Sequence, residues 1–154
     1  MHFNVIQISE NPVHKDDRID MWDIAEDPLF LDESDYGGDE KKYSDVIESI
    51  KRELEPFCVV NKKKRTITFR PKKTVEREWL QAIDNTLTRF KEKIRNKAYS
   101  TAEYQLRKHI REPHGVDDIF YDRYCRKFSS VIADYLAGYL PKTLYIGAIL
   151  DAHR

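Results

Sequence analysis

Seven of the twelve residues from Lys62 to Lys73 are basic: Lys62, Lys63, Lys64, Arg65, Arg70, Lys72 and Lys73. Bases at this density can follow a phosphate backbone, because every phosphate they neutralise releases counterions and makes binding steeply dependent on salt. The flanking pieces 57–60 and 66–70 are rich in β-formers, so 61–65 reads as the longer turn of a hairpin with Lys62 to Arg65 at its tip. Lysines in such a turn also serve simply to discourage edge-to-edge pairing. Arg89, Lys91, Lys93, Arg95 and Lys97 extend the basic theme along the next helix, and Tyr121, Arg123, Tyr124, Arg126 and Lys127 interleave rings with bases, which suits stacking on unpaired nucleotides. The spacing of Tyr124 assigns it to the core. No residue pattern marks a base-reading element, so the expected contact is with the nucleic-acid backbone.

The charge of the chain is divided along its length. Residues 1–50 hold 14 acids and 4 bases, residues 51–127 hold 21 bases and 11 acids, and the whole is neutral. Long-range attraction to nucleic acid therefore has to come from a local patch. The acidic segment at about 12–42 offers a second surface, in which Asp32, Glu33, Asp35, Asp39 and Glu40 are the residues expected to meet a basic partner. Its large apolar residues, Trp22, Leu29, Phe30 and Leu31, are expected to anchor it, with 35–40 around Gly37-Gly38 as a loop.

Catalytic and metal signatures fail on spacing. Asp32, Ser34 and Gly37 match part of a calcium loop, but Tyr36 and Tyr43 stand where ligands are required. No His-x3-His or His-Glu-x-x-His pair exists, so no metal is assigned. Asp20, Asp23, Glu26 and Asp27 could hold magnesium, yet acids in one irregular stretch are ordinary for a solvated loop. Gly37-Gly38 is followed by acids that repel phosphate, and no Gly-x-Ser-x-Gly elbow occurs. Arg107 and His114, in the spacing Arg-x6-His, resemble the loosest form of the active-site motif of helical HEPN-type ribonucleases. That resemblance covers eight residues and implies an imidazole beside an arginine assisting attack by a ribose hydroxyl. Cys58 and Cys125 are far apart and read as reduced core thiols. No apolar run is long enough for a membrane span, and the amino-terminal residues lack a secretory pattern, so the cytoplasm is the expected compartment.

At 154 residues the chain can bury about 70% of its unfolded surface, enough for one domain over 1–154 without disulfide or metal support. Residues 3–9 and 143–150 read as strands, expected to be neighbours. Tyr43, Val46, Ile47, Ile50 and Leu54 mark a helix over 44–54. Val75, Trp79, Ile83, Leu87, Phe90, Ile94 and Ala98 mark a long one capped by Thr74, and a third runs from 100 to 110. Residues 117–136 read as a fourth helix. The expected class is α+β: a small, mostly antiparallel sheet of the N-terminal strand, the basic hairpin and the C-terminal strand, with about four helices on one face.

Three functions follow in order. First is non-catalytic binding of nucleic acid through the basic hairpin and adjoining helix. Second is a protein-interaction or adaptor module using the acidic segment, or self-association. Third is a metal-free ribonuclease. No cofactor is implied.

Overall fold

The structure is a computed structural model that describes residues 2–34, 36–110 and 112–153, without the side chains of Tyr36 and Asp39. Its elements run His2–Ser9 (β1), a 3-10 turn at Lys15–Asp17, Met21–Ile24 (α1), Pro28–Glu33 (α2), Tyr36–Glu40 (β2), Tyr43–Leu54 (α3), Cys58–Asn61 (β3), Thr66–Phe69 (β4), Lys72–Arg95 (α4), Tyr99–His109 (α5), Ile119–Tyr121 (β5), Cys125–Lys127 (β6), Phe128–Ala137 (α6) and Thr143–His153 (β7). The class is α+β. Among the described residues the sheet has seven strands and the helices number six, against the four of each expected.

Six strands lie in the order β3-β4-β7-β1-β5-β6, and β2 also pairs with β7. The sheet is mixed: β1 and β5 are parallel, and the other pairings are antiparallel. The first and last strands are neighbours, as their patterns suggest. Both faces of the sheet are covered, which corrects the one-faced arrangement. On one side Ile6, Ile8, Ile67, Phe69 and Ile146 pack with Ile47, Ile50 and Leu54 of α3 and Phe128, Val131 and Ile132 of α6. On the other, Phe3, Val5, Ala148 and Leu150 pack with Ile24 of α1 and Phe30 of α2.

Double-sided burial explains the misread region 117–136. Ile119 belongs to one core and Phe120 to the other, so consecutive residues are buried on opposite faces of a strand. Such a strand shows no alternation of apolar and polar types, and its apolar run also matches a helical period. The helix there starts only at Phe128. Similarly, α4 begins at Lys72 and not after Thr74, because Pro71 O accepts from the backbone N–H groups of Thr74 and Val75 at 2.8 and 3.1 Å.

The acidic segment is ordered by its own acids. Asp20 caps α1, accepting from Trp22 N at 2.8 Å while Asp23 returns a bond to Asp20 N at 2.7 Å. Asp27 caps α2 through one oxygen, bonded by Leu29 N at 2.9 Å, and accepts from Cys125 N through the other at 2.8 Å. The anchors are Ile24 and Phe30, with Leu29 packed beside them; Trp22 is 87% exposed and Leu31 also faces solvent. Gly37 lies in β2 and not in a loop, paired with Ala152 of β7, and Met21 and Phe30 pack so closely over it that a Cβ would sit 1.6 Å from Met21 Cε.

Gln7 stitches this segment to the sheet. The β1–β7 register shifts between Ile6 and Ile8, and at that bulge the side chain of Gln7 replaces the ladder: its Oε1 accepts from Ala148 N at 2.9 Å and Ile19 N at 3.1 Å, and its Nε2 donates to Asp17 O at 2.9 Å. The amide fits because residue 147 is glycine, where a Cβ would stand 2.2 Å from Gln7 Oε1. Gly147→Ala should therefore expel the amide and destabilise the fold by about 2–4 kcal/mol, from overpacking plus lost hydrogen bonds. In a Gln7→Ala background the same change should cost at least about 1 kcal/mol less. Urea unfolding of the four proteins measures this coupling, and additive costs would refute it.

Candidate nucleic-acid interface

The seven bases expected to act together do not form one group in space. Lys62, Lys63 and Lys64 are exposed in the turn between β3 and β4, fixed by the Tyr43 hydroxyl donating to Lys62 O at 2.9 Å and by Lys64 N donating to Asn61 Oδ1 at 3.0 Å. Lys62 Nζ lies 3.9 Å from Glu48. Arg65 turns inward with φ of 53°; its Nε donates to Ile146 O at 3.2 Å, its Nη2 to Gly147 O at 2.5 Å, and its guanidinium lies 3.9 Å from the centre of the Tyr43 ring. Arg70 Nε donates to Glu55 O at 2.8 Å. These two arginines hold the sheet and its neighbouring loop together. Lys72 and Lys73 begin α4, with the Lys72 ammonium 5.7 Å from the centre of the Tyr135 ring. The intervening strand, about 13 Å long, separates them from the hairpin tip.

The adjoining helix forms the larger basic surface. α4 is 24 residues long, about 36 Å, and the short connection at 96–98 returns the chain along it as α5. Val75 fixes the first turn in the core, and beyond it the buried residues of the pair are Thr86 and Ala102. The two helices form an arm. At its distal end Arg89, Lys91, Lys93, Arg95 and Lys97 are all exposed, and among the described residues none of them makes an ion pair. Tyr99, 62% exposed, follows Lys97 by two residues, whereas Tyr104 faces a cavity that also takes in Glu33, Glu112 and Lys127, with the Lys108 ammonium 5.8 Å from the centre of its ring. Arg107 is paired with Glu103 one turn earlier in α5.

The ring-and-base stretch near residue 124 is turned inside out relative to its expected arrangement. Tyr124 is exposed and Arg126 is buried, with 5% of its surface accessible. Arg126 Nη1 lies 2.7 Å from Asp134 and 3.6 Å from Asp122, while its Nε and Nη2 have no hydrogen-bond partner among the described residues. It lines a cavity of about 650 Å³ at the carboxyl ends of β1 and β5, where Glu10, Asp17, Asp122 and Asp134 outnumber Arg123 and Arg126. That excess of negative charge disfavours a phosphate there.

Two of the five acids expected to meet a partner are committed within the chain. Glu33 lies 3.2 Å from Lys127 Nζ, and Glu40 lies 3.4 Å from Arg18 Nη1. Asp32 is exposed, Asp35 is outside the described residues, and Asp39 is on β2 with its side chain also outside them.

A metal-ligating group escaped the sequence reading. β1 and β7 set His2 directly opposite His153, and Asp151, two residues before His153, points to the same face. His2 Nδ1 is 3.4 Å from Asp151 Oδ1 and His153 Nε2 is 3.0 Å from Asp151 Oδ2. Burial pushes the Asp151 carboxyl up, but hydrogen bonds from Lys41, His2 and His153 outweigh it and hold the group down at about 2. The local signal was Asp-x-His on a strand; the second histidine lies at the other end of the chain.

His114 offers little to ribose chemistry. Its Nδ1 accepts from Val116 N at 3.0 Å, which places the proton on Nε2, 2.9 Å from Ser129 Oγ. The ring packs edge-on against Phe57 and Phe128. Burial lowers its pKa from 6.5 to about 4, so it is neutral at physiological pH. Between those values the unfolded chain takes up a proton that the folded one refuses. Its contribution is thus complete above pH 6.5 and is lost as pH falls toward 4, by about 3 kcal/mol at most. His114→Gln should flatten the pH dependence of the unfolding midpoint in this window relative to the parent protein. Identical slopes would show that His114 titrates normally.

Comparison with protein-family models, with curated proteins and with solved structures gave no match, so the functional reading rests on the residues themselves.

Proposed function

We propose that this protein binds nucleic acid without catalysis, by laying the distal end of the α4–α5 arm along a phosphate backbone, with Lys62, Lys63 and Lys64 as a separate, smaller contact. The observation that carries this reading is the set of five exposed bases from Arg89 to Lys97, free of ion pairs among the described residues and followed by the exposed Tyr99. Unpaired surface bases lose little solvation when they meet phosphate, and the counterions released supply the driving force. The exposed Tyr99 ring adds stacking that tolerates any base, which favours single strands. Arg65 and Arg70 keep their structural bonds throughout, and Lys72 and Lys73 lie at the root of the arm.

The test is fluorescence anisotropy with a labelled single strand across a salt series. Replacing Lys91, Lys93 and Arg95 with Glu should weaken binding at least tenfold and reduce the slope of log affinity against log salt by about 2. Replacing Lys62, Lys63 and Lys64 with Glu should have the smaller effect. Unchanged affinity and slope in the arm variant would overturn the reading.

A second reading, self-association, is favoured by Leu80, Leu87 and Ile94, exposed at seven-residue spacing along α4. An antiparallel second copy centred on Leu87 would set Leu80 against Ile94 and bring Asp84 within one residue of Lys91, joining apolar contact to opposite charge. Leu87→Glu should convert a dimer to a monomer in sedimentation equilibrium. A parent protein that is monomeric at high concentration removes this reading.

A further inference from the structure

We propose that His2, Asp151 and His153 form a binding site for a zinc-class divalent transition metal that clips the start of β1 to the end of β7. The proposal is independent of the nucleic-acid reading. Two imidazoles and a carboxylate are the ligand types that such ions select, and three protein ligands leave an open position for water. The candidate ligand atoms all lie within 4.8 Å of one another. Metal–ligand bonds of about 2.0–2.1 Å set the edges of a tetrahedral site at about 3.3 Å. His153 Nε2 stands 3.0 Å from Asp151 Oδ2, close to that value, and His2 Nδ1 stands 3.4 Å from the other oxygen, Oδ1. The two rings converge with centroids 3.9 Å apart and a 59° tilt, which leaves closure to small rotations of side chains.

The geometry is built by the sheet and not by a loop. Backbone pairing fixes the His2–His153 register, so both rings start from rigid strands. The carboxylate is held from the far side: Lys41 Nζ lies 2.8 Å from Asp151 Oδ1 and donates to Asn4 Oδ1 at 2.9 Å, while Asn4 Nδ2 donates to Asp118 at 3.1 Å. This chain orients Asp151 and leaves Oδ2, the oxygen nearest His153, to coordinate. Partners that fix a ligand in this way typically raise metal affinity. His2 is exposed, so the open position faces solvent and an ion can enter directly.

The experiment uses the full chain without a histidine tag, freed of metal by chelator, titrated with Zn²⁺ calorimetrically and with Co²⁺ by visible absorption. Expected are one ion per chain, the intense absorption of tetrahedral Co²⁺, and a rise in the thermal midpoint on adding Zn²⁺. His2→Ala, at an exposed position that leaves the core intact, and His153→Ala should each weaken Zn²⁺ binding at least tenfold. Circular dichroism identical to the parent establishes that both variants are folded. Absence of saturable binding up to 100-fold excess Zn²⁺, or equal affinity in both variants and the parent, would overturn the proposal.

Discussion

A strand in the middle of a sheet must satisfy backbone groups on both of its edges, since a buried carbonyl or N–H without a partner costs about 1–3 kcal/mol. β7 meets that demand with three strands and two side chains. β1 runs along one edge, with Gln7 supplying the missing acceptor at the bulge. On the other edge β4 covers the first residues and β2 the last. The interval between them is closed by Arg65, which accepts from Ile146 N through its own carbonyl and donates to Ile146 O and Gly147 O, and by Lys41 N at Ile149 O. Removal of either side chain would leave central carbonyls or amides unpaired in the best-packed part of the molecule.

This spine divides the molecule by duty. Acids of the first 50 residues cap short helices, bond backbone amides and pair with Lys127 and Arg18, and in doing so press α1 and α2 onto one face of the sheet. The arm takes little part in that scheme beyond the core contact of Val75 and the packing of Trp79. Its distal bases are therefore unspent, and surface bases that make no ion pair among the described residues are the ones able to meet phosphate at low cost in solvation. The ends of β1 and β7 stand at the opposite extreme: His2, Asp151 and His153 are brought together only because the spine joins residues far apart in sequence.

Elements with one buried face were legible in the sequence. The α3 stripe, the β3–β4 hairpin, α4, α5 and the adjacency of β1 and β7 follow from periodicity and turn residues. β5 and α6 were merged because Ile119 and Phe120 are buried on opposite faces, which erases the alternation that betrays a strand. β2 reads as a loop because Gly37 looks like a break, whereas it makes room for Met21 and Phe30. The basic cluster shows a different limit. Arginine and lysine carry the same charge in sequence, but Arg65 and Arg70 have forked donors suited to carbonyls and turned inward, while the lysines of the same stretch stayed in water. The histidine pair depended on strand register across nearly the whole chain, which no local pattern encodes.

Native-state hydrogen exchange tests the central division most directly. Amides of β1 and β7, including those at Ile146 and Ala148 bonded by Arg65 and Gln7, should exchange only through global unfolding, while amides from Arg89 to Tyr104 should exchange through local opening at much lower free energy. Equal protection of the arm and the spine, or ready exchange at Ile146 and Ala148, would contradict it.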